Sequence, residues 1–349
     1  MKNLRRISIF IIGTVFFISG LLKMMDPVGT SLIVEEYLKF LHLGGLRPMS
    51  GFLGTAISLF EALTGAALLT GVWRKAVSLI TIGLLSFFTV LTVFLCIYDP
   101  PMDCGCFGEA VHLTHFQSLV KNLILAALWA VAFLPAATEL PGRMKYVRFG
   151  IAALSLVGFM LFFQFNLPAK DFTPFRPGTE LLGPDYDYPS GNTILTFSNE
   201  EGEYADSLAL GEKVMIFSIY DPEDLSRNCS DRIESAFHDC SEAGITPLVL
   251  YAGTPDKYPG GYYADRKTLM TLNRANGGAT LIRDGHITAK WAPWHFPDEE
   301  GLERLAGMDS VEATISENSG KHLRLQAFLL YVFAVMLLLK FPQPKRSLE

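Results

Sequence analysis

The chain has 349 residues, half of them hydrophobic, a mean hydropathy of +0.30 and a formal net charge of −6. A soluble enzyme of this length rarely carries so much apolar side chain, so segments long enough to cross a bilayer are expected. No basic patch is interleaved with aromatics, which argues against nucleic acid as a partner.

The charge is unevenly spread. Residues 167–321 hold 26 Asp and Glu against 13 Lys and Arg, while the remainder holds 9 acids and 16 bases. This predicts a basic part in contact with membrane lipid and an acidic soluble part.

Lys2, Arg5 and Arg6 precede an apolar run from Ile7 to Leu22. A secretory signal needs a small-residue cleavage site, and the stretch from Lys23 to Pro27 is a poor one. The run therefore reads as a first transmembrane helix ending near Asp26 and Pro27. In residues 30–43, Glu35, Glu36, Lys39 and His42 share one helical face, with Ile33, Val34, Leu38 and Leu41 opposite. That pattern predicts an amphipathic helix lying on the membrane, capped by Gly44 and Gly45. Second and third spans are expected over 52–72 and 76–97, joined by a tight turn at 73–75. A fourth runs from His115 to Phe133, with Thr114 as N-cap and Gln117 completing a capping box. Arg143, Lys145 and Arg148 separate it from a fifth span over 149–165, and a sixth covers 323–339.

Of the 16 bases outside the soluble part, 11 lie at the N-terminus, the 73–75 turn, the 143–148 loop and the tail from Lys340 onward. Six spans put those four places on one side, and the excess of positive charge makes that side the cytoplasm. The expectation is a multi-pass protein of the inner (cytoplasmic) membrane with both termini cytoplasmic. The 98–114 loop and the acidic domain then face the periplasm, where disulfides persist. The organisation is residues 1–140 as a four-helix membrane bundle, 141–166 as a fifth span, 167–321 as the soluble domain, and 322–349 as a sixth span and tail.

The soluble part alternates. Strands are expected over 213–220 and 246–252, helices over 224–242 and 264–275, and a hairpin over 279–291 with a turn at Asp284 and Gly285. This β-α-β-α-β-β order indicates an α/β domain and resembles the thioredoxin fold. The resemblance covers the fold and not the chemistry. The positions matching a thioredoxin Cys-x-x-Cys are Asp224 to Arg227, and Ala279 stands where a cis-proline is expected. Cys229 and Cys240 lie on one helix about 16 Å apart, beyond disulfide reach, so they read as buried or singly reactive thiols. The domain is then redox-degenerate, docking a partner or covering the membrane site.

The chemistry concentrates in the loop after the third span, which holds Cys104, Gly105, Cys106, Phe107 and Gly108 in succession, with His112 and His115 behind. Disulfide exchange needs a thiolate, a second thiol in reach and access, and Cys104 and Cys106 satisfy reach by adjacency. Gly105 supplies the backbone freedom that a small Cys-Gly-Cys ring requires. Lys121 and the N-terminus of the fourth helix are placed to lower the thiol pKa values. Cys96 is either a resolving thiol or a small apolar helix residue. Two alternatives stand beside exchange: a permanent brace, and a metal site made by Cys104, Cys106, His112 and His115, suited to zinc or copper. Glu61 is a mid-span carboxylate and so a functional candidate, with Lys23 its nearest partner and Asn122 a further one.

Cys104 to Gly108 between two spans resembles the MauE family, linked to methylamine metabolism. Residues 17–23 and 61–65 resemble the wider DoxX-like group that contains it. The resemblance covers about residues 1–140 and implies a four-helix membrane bundle. It also implies a role in maturing a disulfide-rich periplasmic client, methylamine dehydrogenase in the family. Two functions follow. One is a membrane thiol–disulfide oxidoreductase with a quinone as electron acceptor, similar in logic though not in motif to DsbB and vitamin K epoxide reductase. The other is a non-enzymatic assembly factor whose acidic domain binds a periplasmic client or a separate thioredoxin-like protein.

Overall fold

The computed structural model describes residues 2–100, 102–134, 142–167, 170–181, 193–254 and 259–340. They form two compact units: Met1–Phe165 with Gln326–Glu349, and Asn166–Leu325.

In the first unit, α1 (Lys2–Met25), α3 (Ser50–Thr70), α4 (Arg74–Tyr98) and α5 (His115–Phe133) close a ring: α1 packs on α3 and α5, and α4 on the same two. α6 (Arg143–Phe165) lies against α3 and α1. These five helices are long and apolar enough to cross a membrane. Their inner faces meet around Ile12, Phe16, Leu68, Leu85 and Leu125. The chemistry of the helix ends matches the sequence. Gly71 ends α3 in the left-handed conformation. Thr114 and Gln117 form the expected reciprocal capping box, with N···O distances of 3.0 and 3.2 Å.

Small residues set the tightest contact. A Cβ on Gly65 would lie 2.4 Å from the Phe17 amide nitrogen, and one on Gly20 would lie 2.5 Å from the Ser58 carbonyl oxygen. The α1–α3 crossing is therefore backbone against backbone, as small residues permit between membrane helices.

Three expectations change. α2 (Pro27–Phe40), opened by Asp26 as N-cap, packs against α3 and α1 instead of lying free on a surface. Its Glu35 is buried and held by Arg47 and Lys39 at 2.6 and 3.2 Å, so the predicted polar face is partly an internal one. α2 is not capped by the glycines: His42 takes the left-handed angle (φ 58°), and Gly44–Met49 forms a 3-10 turn. α6 starts at Arg143 rather than Phe149, because Tyr146 and Phe149 set their ring edges on Trp73 at 5.5 and 5.1 Å.

The second unit carries β2 (Lys213–Ile219), α7 (Arg227–Glu242), β3 (Thr246–Ala252), β4 (Tyr262–Ala264), α8 (Arg266–Leu272), β5 (Gly278–Arg283), β6 (His286–Trp291) and α9 (Glu299–Gly307). The sheet runs β4-β3-β2-β5-β6, with β2, β3 and β4 parallel and β5 and β6 antiparallel. The expected alternation is present, with β4 as an added edge strand. Asp284 (φ 48°) and Gly285 (φ 74°) make the predicted two-residue hairpin turn, both left-handed as that turn requires. One apolar layer, from α7 and α9, covers one face of the sheet, and a second, including α8, covers the other. α7 begins at Arg227 with Ser226 as N-cap, after a separate 3-10 turn at Pro222–Asp224, so it is shorter than expected.

α10 (Ser310–Lys340) includes residues 323–339, where a sixth span is expected, and is not among the five helices named above as able to cross a membrane. Side chains at 321, 322, 324, 328, 332 and 335–340 lie outside the described residues, as do Lys345 and Arg346.

Gly65→Val should lower the thermal midpoint of the detergent-solubilised protein by an amount equivalent to about 1–3 kcal/mol, since the α1–α3 backbone contact must open. Gly83→Ala, where an added Cβ meets nothing within 4 Å, should leave the midpoint unchanged or raised. Equal midpoints for both variants in a scanning fluorimetry series would refute the close crossing.

Candidate functional site: a thiol loop above a buried ion pair

α4 ends at Tyr98, and Asp99 takes a left-handed angle (φ 41°) that turns the chain out of the helix. The loop then doubles back. Gly105 and Gly108 both have positive φ (59° and 62°), and the Gly108 amide donates to the Gly105 carbonyl at 3.2 Å, closing a turn around Cys106 and Phe107. Space demands glycine at 105 as firmly as the angle does, because a Cβ there would sit 2.4 Å from Ile33 Cγ2. The short strand β1 (Cys106–Glu109) follows, against α1 and α2.

Two side chains hold the cysteine backbone. Tyr37 Oη on α2 donates to the Cys104 carbonyl at 2.9 Å. Burial, with a smaller push from the two neighbouring thiols, raises the Tyr37 pKa, so it remains a donor. Ser19 Oγ on α1 stands 2.7 Å from the Cys106 carbonyl oxygen and 2.7 Å from Glu61 Oε2. Glu61 on α3 is 2 % exposed and takes Lys23 Nζ at 2.7 and 2.9 Å. Lys23 also lies over the Phe88 ring, 5.4 Å from its centre. Sequence reasoning brought Lys23 and Glu61 together but missed Ser19. The signal was there: Ser19 precedes Lys23 by four residues and so shares its helical face.

Ser19, Lys23, Tyr37, Glu61, Cys104 and Cys106 all line one cavity of about 290 Å³. Asn122 lines it too, but its amide nitrogen is 3.4 Å from Thr92 Oγ1, so it bonds to α4 rather than joining the ion pair.

The five cysteines are free thiols. Cys104 is buried and its pKa is pushed up to about 11. Burial is the main cause. Ser118 and Lys121 pull the other way, and the charges of Cys106 and Cys96 add to the rise. The expectation that Lys121 and the α5 terminus would activate this thiol is thus overturned at Cys104: desolvation wins, and the Lys121 ammonium sits over the Phe107 ring at 5.1 Å. Ser118 is fully buried beside Cys104, where its hydroxyl lowers the thiol pKa. Cys106 is half-buried, while Cys96 is exposed on α4. Cys229 and Cys240 both pack in the core of the second unit, and burial pushes both up, Cys240 to about 12.

The imidazoles turn away from the thiols. His115 Nδ1 is 3.1 Å from Asp99 and its Nε2 is 2.9 Å from the Met102 carbonyl, while His112 Nδ1 is 3.1 Å from Asp103. Both ring nitrogens of His115 thus face oxygen atoms of the loop rather than the thiols. Among the described residues no group of three or more His, Cys, Asp or Glu is arranged to hold a metal ion.

Two outcomes check this geometry. In a variant whose one remaining cysteine is Cys104, maleimide alkylation near pH 8 should run about a hundredfold slower than at an exposed cysteine. Its rate should climb with pH until about pH 11, since the thiolate is the reactive form and its pKa is raised; a plateau below about pH 9 would contradict the burial. Glu61→Gln should cost about 3–5 kcal/mol by leaving the Lys23 charge buried, and Glu61→Gln with Lys23→Met should recover most of that loss in a double-mutant cycle.

Residues 1–137 match the family model for methylamine utilisation protein MauE. The chain is also 25 % identical over 166 residues to "Protein TlpB" of Flavobacterium psychrophilum, a match that covers 47 % of this chain and 45 % of that protein. No solved structure matches. The five candidate spans and the family match mark a multi-pass membrane protein, and the thiol loop with its ion pair lies wholly inside the MauE-matching residues.

Proposed function

We propose that the chain is a membrane thiol–disulfide redox protein that supports disulfide formation in periplasmic clients during their maturation. One observation carries this reading. A half-buried and a buried thiol, one residue apart, are held by their backbone carbonyls above a buried ion pair. The family match over residues 1–137 favours a maturation role, with a disulfide-rich protein such as methylamine dehydrogenase as the class of client.

In the proposed exchange, the Cys104–Cys106 disulfide is the oxidised state. A client thiolate attacks the more accessible Cys106 sulfur, forming a mixed disulfide, and Cys104 departs as a thiolate toward Ser118 and Lys121 and takes up a proton. A second client thiolate then attacks the client sulfur of the mixed disulfide. The client leaves with a disulfide, and Cys104 and Cys106 are left as thiols with the client's two electrons.

Several features support the orientation. The Ala132 carbonyl at the end of α5 accepts from Arg5 at 2.7 Å and Arg74 at 3.5 Å, so basic residues of the N-terminus and the 73–75 turn gather at one end of the bundle. The positive-inside rule makes that end cytoplasmic, in the inner membrane, and puts the thiol loop in the periplasm. The second unit serves as a thioredoxin-like docking domain. Its central β2 flanked by parallel β3 and antiparallel β5 suits that fold, and its two cysteines are committed to the core.

Trapping decides between exchange and scaffold. Cys104→Ala, which keeps Cys106, should accumulate mixed disulfides with client proteins on non-reducing gels, and Cys106→Ala should accumulate far fewer. If neither variant traps a partner, the loop is a brace and the protein a non-enzymatic assembly factor.

A further inference from the structure

Each client disulfide leaves two electrons and two protons on Cys104 and Cys106, and something must take them. No second cysteine pair among the described residues is placed to do so: Cys229 and Cys240 are sealed in the core of the other unit, and Cys96 stands singly on α4. An acceptor that comes to the thiols as a ligand would complete the cycle. The place it would come to is already shaped. The cavity under the loop lies among α1, α2, α3, α4 and α5 and is walled mostly by apolar side chains, among them Ile57, Phe88 and Leu91. Both thiols open onto it, and so do two ammonium groups and one carboxylate, from Lys23, Lys121 and Glu61.

We propose that this cavity takes the head group of a lipophilic two-electron carrier of the quinone class, with Lys23 or Lys121 donating to a ring carbonyl. The inference rests on the thiol-exchange reading above. A volume of about 290 Å³ stands at the small end of ligand pockets, enough for a substituted ring but not for a long isoprenoid tail, which would pass out between the helices into lipid. Lys23 and Lys121 bring ammonium groups to the cavity wall. The step balances. Two S–H bonds break and the Cys104–Cys106 bond forms; two electrons and two protons pass to the two ring carbonyl oxygens, and the quinone leaves as its hydroquinone.

Ser19 ties the ion pair to the loop: its hydroxyl has one hydrogen and faces two oxygens at 2.7 Å, Glu61 Oε2 and the Cys106 carbonyl.

The test uses the full-length protein in lipid nanodiscs and a short-chain azido-ubiquinone as photoaffinity probe. Labelling should be saturable, should map to peptides of α1 to α5 that line the cavity, and should fall roughly tenfold or more under excess unlabelled short-chain ubiquinone. It should persist in the Cys104→Ser, Cys106→Ser double variant, so binding is read independently of thiol chemistry. It should fall in Leu91→Trp and in Ile57→Phe, which fill the cavity from two different helices, so that failure of one to fold leaves the other. Labelling that does not saturate, or that maps outside the cavity, overturns the proposal. Mixed disulfides trapped on Cys106 without such labelling would leave the exchange reading standing and this one refuted; labelling without trapped disulfides would refute the exchange reading instead.

Discussion

A lysine and a glutamate removed from water inside a helical bundle constrain everything near them. Each charge is costly alone and is tolerable only when paired. Lys23 and Glu61 therefore fix the depth and rotation of α1 against α3, and Gly20 and Gly65 let the two backbones come close enough for the pair to meet at 2.7 Å. Ser19, one helical turn before Lys23, is carried to the same level by the same rotation. It reaches the Cys106 carbonyl, so the ion pair also fixes where the thiol loop sits.

The loop is built by exclusion as much as by bonding. Ile33 leaves no room for a side chain at 105, and the left-handed angles at 105 and 108 fold the chain over α1 and α2. Burying Cys104 makes it a poor nucleophile, while Cys106 keeps partial access. Two cysteines of the same type, one residue apart, thus take different chemical characters from their surroundings: one suited to meet a partner, the other to receive or release a sulfur bond under cover.

The second unit contrasts with the first. Its charged residues lie largely outside, but Lys290 is buried and paired with Asp171; burial alone would raise the Asp171 pKa, and the Lys290 ammonium holds it below the usual carboxylate range. Ser226 caps α7, its side chain accepting from the Cys229 amide. Asn276 takes the backbone N–H groups of Tyr220 and Asp221, both at 3.0 Å. Side-chain bonds to the backbone thus close that end of the sheet.

Much of this was legible in one dimension, because apolar periodicity, caps and turns are local properties. His115 to Phe133 was bounded correctly because Thr114 and Gln117 satisfy the helix's orphan amides between themselves. The Asp284 and Gly285 hairpin was legible because only such residues accept two left-handed angles in succession. The spacing of Cys104 and Cys106 and the presence of an intramembrane carboxylate were likewise plain. Tertiary structure alone decided the rest. It buried Glu35 and packed α2 into the bundle, since an amphipathic pattern does not say whether its polar face meets water or a basic neighbour. It sent Asn122 to Thr92, turned His112 and His115 to Asp103 and Asp99, and brought Ser19 and Tyr37 to the two cysteine carbonyls. It also reversed the expected effect on Cys104, because desolvation depends on what surrounds a group in space and not on which charges lie near it in the chain.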